Sequence, residues 1–311
     1  MKKINSVCGE ISTDDLGFTL MHEHVMVIDS FMRYSFPDWF ARDGFIRKVV
    51  NELSEARQKG VRTIVDATPI NLGRDISVIK EASEKSGVQI IASTGFYWYD
   101  EPWMDGWGIE ALMEKLLREI NHGIQGTDIK PGVIKAATDF PGMTPVNFKL
   151  LKTSARLARA TDLPLITHSC PSRMTGLMQQ DVFLAEKVDP ARVVIGHSGD
   201  TDDIEYLEAI LKRGSYVGLD RFGLDMVLPV EKRIATVIEL VKRGHTDKIL
   251  LSHDYCCYID WTPEFCFKEG AEHWSYTYLP AQIIPEMKKR GISDEAIRIM
   301  TVENPKRIFT E

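Results

Sequence analysis

The chain has 311 residues, 44% of them hydrophobic and 27% charged, with a formal net charge of −7. Those proportions are globular, and the acidic balance excludes the basic stripe expected of a nucleic-acid or anionic-membrane surface. No window approaches the roughly 18 uninterrupted apolar residues of a membrane span, and Met1-Lys2-Lys3-Ile4 leads into no apolar signal core.

Apolar runs rich in β-branched residues fall at about 17–25, 61–68, 88–94, 132–136, 163–168, 192–197, 215–219 and 248–253. Runs apolar on both faces predict buried parallel strands. Between them lie helical periods, such as Phe45, Ile46, Val49, Val50 and Leu53, or Ile204, Leu207, Ile210 and Leu211, or Ile234, Val237, Ile238 and Val241. Gly60, Gly87, Gly214 and Gly244 close helical patterns as C′ glycines, and Thr201 and Asp202 are N-cap candidates. No linker divides the chain. Eight alternations predict an α/β fold, a single (β/α)8 TIM barrel over residues 1–311. A doubly wound open sheet is the alternative, but the first strand lacks the G-x-G-x-x-G turn of a dinucleotide fold. The cysteines (Cys8, Cys170, Cys256, Cys257, Cys266) are odd in number and show no C-x-x-C spacing, which suits reduced thiols in a cytoplasm.

In such a barrel the chemistry sits at the C-terminal ends of the strands. The first predicted strand ends in His22-Glu23-His24, the fourth reaches Lys135, the fifth ends in His168, the sixth in His197 and the eighth in Ser252-His253-Asp254. Any one of these histidines could be an ordinary core residue, and Lys135 a snorkelling surface chain. Together they put nitrogen and oxygen donors on one rim. Residues two apart in a strand face the same side, so His22 and His24 converge. Alternation turns His253 away from Asp254, toward the helical layer, in a structural role. His122 and His245 lie at helix ends, and the role of His273 is open.

Four imidazoles exceed the set of about three protein ligands that one catalytic zinc takes. Two cations sharing a bridge fit better. A buried lysine loses part of its proton affinity, and a neutral Lys135 amine can take up carbon dioxide to become a carbamate, a bidentate anion able to span two cations.

The segments Thr19-Leu20-Met21-His22-Glu23-His24, Lys135, His168-Ser169, Gly196-His197 and Ser252-His253-Asp254 resemble the amidohydrolase superfamily, above all its phosphotriesterase branch. Gly126-Thr127 and Glu303-Asn304-Pro305 extend the likeness over the whole chain. Ile195-Gly196-His197-Ser198-Gly199-Asp200-Thr201-Asp202, Gly218-Leu219-Asp220-Arg221-Phe222-Gly223 and Asp254-Tyr255-Cys256-Cys257-Tyr258-Ile259-Asp260-Trp261 are similar to the phosphotriesterase-like lactonases. The resemblance implies that His22, His24 and Asp254 hold one metal and His168 and His197 the other, bridged by carboxylated Lys135 and a hydroxide. It also implies that Tyr97 meets substrate or bridging solvent, that Arg221, Cys256 and Trp261 shape the pocket, and that the chain forms a homodimer. Two loops depart from the lactonase pattern, Phe96 to Asp105 in its tryptophan content and Glu264 to Glu269 in its sequence.

The expected reaction is hydrolysis of a lactone, such as an N-acyl homoserine lactone, with activated phosphotriesters as slow side substrates. One cation polarises the carbonyl, the bridging hydroxide attacks, and Asp254 moves the proton to the leaving alkoxide. Tyr97, Trp98, Tyr99, Trp261 and Phe265 would wall an apolar cleft. Zinc is the expected metal, with cobalt, manganese and iron also suited to these ligands. A phosphorylated sugar lactone is a competing substrate, needing a cationic pocket for which Arg221, Lys268 and His273 are candidates. A non-catalytic metal-binding or sugar-binding barrel is the remaining reading.

Overall fold

A computed structural model of the chain describes residues 2–261 and 269–310. Eight parallel strands lie in chain order around a barrel: β3 (Phe18–Glu23), β4 (Val61–Asp66), β5 (Gln89–Gly95), β6 (Val133–Ala137), β7 (Leu165–His168), β8 (Val193–Ile195), β9 (Tyr216–Leu219) and β10 (Ile249–Leu251). Each falls within a residue or two of its predicted apolar run. The ring closes where His24 bridges in parallel to Cys256, with Asp254 N–H donating to His22 O at 3.0 Å and His24 N–H to Tyr255 O at 2.9 Å. Closure therefore joins the first barrel strand to the last at the rim that carries the donors.

The predicted helices form at Arg42–Gln58, Ile204–Lys212 and Val230–Lys242. The cap of the second is Asp203, not Thr201 or Asp202, because its carboxylate reaches the N–H of Tyr206 three residues on. Gly60, Gly87, Gly214 and Gly244 all have positive φ, as helix-ending glycines should.

Side chains alternate between two cores. Met21, Val65, Ile91, Val133, Ile166, Val194 and Leu250 fill the barrel, while Leu20, Ile64, Ile90, Ile134, Leu165, Ile195 and Leu251 pack against the helices. The bottom is plugged by Ile308 and Phe309 and by Ile4, from an antiparallel hairpin of β1 (Lys3–Ser6) and β2 (Gly9–Ser12) that the apolar pattern did not predict. Lys135, Ser252 and His168 each lie two residues beyond an inward apolar residue, so the same alternation aims them into the upper barrel. At β3 the register shifts between Leu20 and Glu23. This bulge turns His22 inward although its neighbour Met21 already points inward. No helix among the described residues is long and apolar enough to cross a membrane.

Candidate metal centre

His22, His24, Lys135, His168, His197 and Asp254 are brought together at the top of the barrel, all buried. Each imidazole has one nitrogen held from outside. His22 Nδ1 lies 2.9 Å from Asp220 Oδ2, and His197 Nδ1 lies 3.0 Å from Asp220 Oδ1. His168 Nε2 is 2.9 Å from Asp139 Oδ2, and His24 Nδ1 is 2.8 Å from Thr68 Oγ1. Thr68 spends its own proton on Met26 O, so its oxygen accepts from the ring N–H of His24. Oxygen partners outside leave the opposite nitrogens as lone pairs facing in, the tautomer a metal ligand needs.

Those inner atoms converge. His168 Nδ1 and His197 Nε2 are 2.9 Å apart, and His24 Nε2 is 3.1 Å from Asp254 Oδ1. His22 Nε2 is 3.5 Å from Asp254 Oδ1 and 2.6 Å from Lys135 Nζ. Ligands about 2.1 Å from a shared tetrahedral cation lie about 3.4 Å from one another, so small shifts would admit one. Among the described residues, two sets of buried side chains could each hold a metal ion: His22, His24 and Asp254, and His22, His197 and Asp220. The first is the expected triad. In the second, His22 and Asp220 accompany His197 where His168 is expected. The Asp220 carboxylate, however, already accepts the ring and backbone N–H groups of His197 and lies 2.9 Å from His22 Nδ1, which casts it as the group that orients those rings.

Electrostatics favour the same assignment. Burial, with Lys135 beside it, lowers His22 to about 4, and burial lowers His168 and His197 as well. Neutral imidazoles are what a cation binds. Burial lowers Lys135 to about 8, so a neutral amine is accessible. Burial works against charge on Asp254, but neighbouring imidazoles and the Arg221 guanidinium hold its carboxyl well below the usual range. Burial and then Asp139 push the Tyr97 phenol up, and burial and then Asp254 push up the Cys256 thiol. Both groups keep their protons.

Backbone geometry is adapted to this convergence. His197 and Asp254 adopt left-handed φ values of 59° and 55°, a conformation uncommon for non-glycine residues, though Asp and His take it more readily than most. Gly196 and Gly218 make room beside them. A Cβ at Gly196 would meet Thr167 O at 1.9 Å, and one at Gly218 would meet Asp220 Oδ2 at 2.7 Å.

A cleft of about 150 Å³ opens onto the donors, lined by Tyr97, Arg221, Cys256, Trp261, Leu224 and Trp274 among others. Tyr97 Oη lies 3.4 Å from His168 Nδ1, and its ring packs against Tyr99 and Trp261. Trp98 and Tyr99 stand behind this wall, ring to ring at 4.5 Å. Phe265 lies outside the described residues. His253 faces away, as alternation requires: it donates from Nδ1 to Glu23 Oε1 at 2.8 Å and accepts the Leu279 N–H at Nε2. Asp220, Asp139 and Thr68 are the functional positions that a search for strand-end histidines overlooks. Each follows its observed strand by one or two residues, but nothing in the sequence marks it apart from an ordinary loop acid or hydroxyl.

The sequence model of the phosphotriesterase family matches residues 2–309. An aryldialkylphosphatase of Saccharolobus solfataricus is 42% identical, with 96% of this chain and 97% of that protein covered. A phosphotriesterase homology protein of Mycobacterium tuberculosis is 40% identical, with 99% and 98% covered. The solved structure of the phosphotriesterase from Mycobacterium tuberculosis superposes with a TM-score of 0.94 at 39% identity, covering 99% of this chain and 98% of that one. The chain belongs to the phosphotriesterase family and is a metal-dependent hydrolase.

Proposed function

We propose that the enzyme hydrolyses lactones, N-acyl homoserine lactones among them, with activated phosphotriesters as slower substrates. His22, His24 and Asp254 would hold one divalent cation, His168 and His197 a second. Lys135 would lie between them as a carbamate, formed when its neutral Nζ bonds the carbon of carbon dioxide and releases a proton. Zinc is the proposed metal. When bound, such cations supply Lewis-acid polarisation of the ester carbonyl and a water of lowered pKa.

The observation that carries the lactone reading is the contact between Arg221 Nε and Asp254 Oδ2 at 2.9 Å. Asp254 would take a proton from the attacking water. A guanidinium never gives up its proton in a protein, so it cannot relay that proton onward. The proton stays on Asp254 until the alkoxide of the opening ring collects it. A basic alkoxide leaving group needs that proton, whereas an activated aryl phosphate releases an anion stable without one. The protonated Tyr97 hydroxyl is suited to donate to a substrate oxygen. Leu72, Ile259, Leu224, Trp261 and Trp274 offer apolar walls to an acyl chain.

A phosphorylated substrate has less support. Arg221 spends two donors on Asp254 and Asp200, His273 stacks on Tyr278 at 5.1 Å, and Lys268 lies outside the described residues. Rates measured side by side on acyl homoserine lactones, δ-lactones, phosphorylated sugar lactones and paraoxon test the proposal. Lactones should give the highest kcat/KM. A preference for paraoxon or a sugar phosphate lactone would reverse the assignment, and bound metal without turnover would leave a binding protein.

A homodimer is proposed as the working unit. Phe31, Tyr34, Phe36 and Trp39 form an exposed aromatic stretch, with Tyr34 93% exposed, and such patches mark association surfaces.

A further inference from the structure

We propose that Arg233 is a positioning residue for the catalytic carboxylate, acting through Asp200 and Arg221. Arg233 stands on the helix Val230–Lys242, one element away from the metal centre, and is 2% exposed. A buried guanidinium is costly unless every donor is matched, and an ion pair at such a place adds little to stability over an apolar pair. Its presence calls for a role that an apolar residue could not fill.

Its contacts define one. Nη2 meets Asp200 Oδ1 at 3.0 Å, and Nη1 donates to Gly199 O at 2.7 Å. Nε donates to Leu228 O at 3.0 Å, and Nη2 also reaches Leu224 O at 3.4 Å. One planar group thus grips the loop that follows β8 and the loop that follows β9. The second oxygen of Asp200 accepts Arg221 Nη1 at 2.6 Å, and Arg221 Nε donates to Asp254 Oδ2 at 2.9 Å. Charges alternate along the whole line, from Arg233 through Asp200 and Arg221 to Asp254.

Each member fixes the rotation of the next. Asp200 with both oxygens engaged has one orientation, which gives Arg221 one orientation and leaves Asp254 Oδ1 as the oxygen turned toward His22 and His24. Without Arg233, Asp200 keeps a single partner and can rotate, and the Arg221 fork loses its rigid base. Leu224, whose carbonyl Arg233 also holds, lines the cleft. The same guanidinium therefore couples the cleft wall to the group that handles the proton.

The activity readout rests on the hydrolase reading above, so a structural readout accompanies it. Arg233→Met, Arg233→Lys and Asp200→Asn are compared with the unaltered enzyme, each loaded with zinc. Arg233→Met and Asp200→Asn should each lower kcat on the best ester by about 10- to 100-fold, the cost of a misplaced catalytic group. KM should change far less, and bound metal should stay the same. Arg233→Lys, which keeps a cation on Asp200, should recover part of the loss. The double variant should be little worse than either single one, because both break one line. A kcat within about twofold of the unaltered enzyme in Arg233→Met would overturn the proposal, whatever Asp200→Asn does. If Arg233→Met does not fold, Asp200→Asn alone decides. If the unaltered enzyme turns over no ester, the function is wrong, and the crystal structure of Asp200→Asn decides the positioning role. An Arg221 Nε to Asp254 Oδ2 separation beyond about 3.5 Å would uphold it, and an unchanged contact would overturn it.

Discussion

Asp220 holds His197 at two points, accepting its backbone N–H at 2.8 Å and its ring Nδ1–H at 3.0 Å. The other oxygen of the same carboxylate faces Nδ1 of His22 at 2.9 Å. One buried acid thereby fixes the tautomer and tilt of two rings from different strands. Replacement by Asn removes a charged acceptor and leaves one ring without its partner. Metal affinity should fall about 10- to 100-fold, the usual cost of losing an outer-shell carboxylate. Competition with a chelator measures this, and an unchanged affinity would strip Asp220 of the orienting role.

Acid should destabilise the metal-free protein over a definite window. Burial lowers His22 to about 4 from 6.5. Between those values the unfolded chain binds a proton at this ring and the folded chain does not. Stability from this ring is therefore complete above 6.5 and is lost as pH falls toward 4, on the order of 3 kcal/mol in all. His168 and His197 are shifted in the same direction and add to the slope. Denaturant titrations of chelator-treated protein from pH 7.5 to 4 would record it. A flat profile would mean that these rings take up protons in the folded chain as readily as in the unfolded one.

Glu23 sits between the two histidines of the first strand, yet its task is different. It is fully buried and accepts from Ser252 Oγ, the His253 N–H, His253 Nδ1 and the Tyr255 N–H, all within 2.9 Å. These bonds join the first strand to the last where the barrel closes. Glu23→Ala strands several buried donors at about 1 to 3 kcal/mol each, so a loss on the order of 4 kcal/mol is expected. Chemical denaturation checks it, and a loss under about 1 kcal/mol would show that closure does not depend on this carboxylate.

The proposed homodimer makes a separate prediction. Trp39 Nε1 donates to Asp260 Oδ2 at 2.6 Å, next in the chain to Trp261 of the cleft wall. Phe31 and Tyr34 lie on the exposed side of the same segment. Light scattering should give twice the chain mass for the unaltered protein and one chain mass for Phe31→Asp with Tyr34→Asp. A monomeric unaltered protein would exclude the dimer.

Much of the fold is legible in the chain because parallel strands buried on both faces leave continuous apolar runs, and all eight do so here. The imidazoles and Lys135 are legible because polar residues ending such runs are conspicuous. What stays hidden has a physical cause in each case. His22 reaches its place only through a bulge, which apolar spacing does not announce. Asp220, Asp139 and Thr68 look like ordinary loop acids and hydroxyls until folding sets them behind the rings. The line from Arg233 to Asp254 is assembled from residues on separate elements with no fixed spacing. The hairpin at the bottom is short and half polar, so its strands carry little signal.

The central claim is that these donors hold two cations and open a lactone with them. Chelator-treated protein titrated with zinc, with hydrolysis of an N-acyl homoserine lactone followed at each addition, tests it most directly. Activity should rise until two equivalents per chain are bound and then level off. Full activity at one equivalent, or none on the lactone at two, would contradict it.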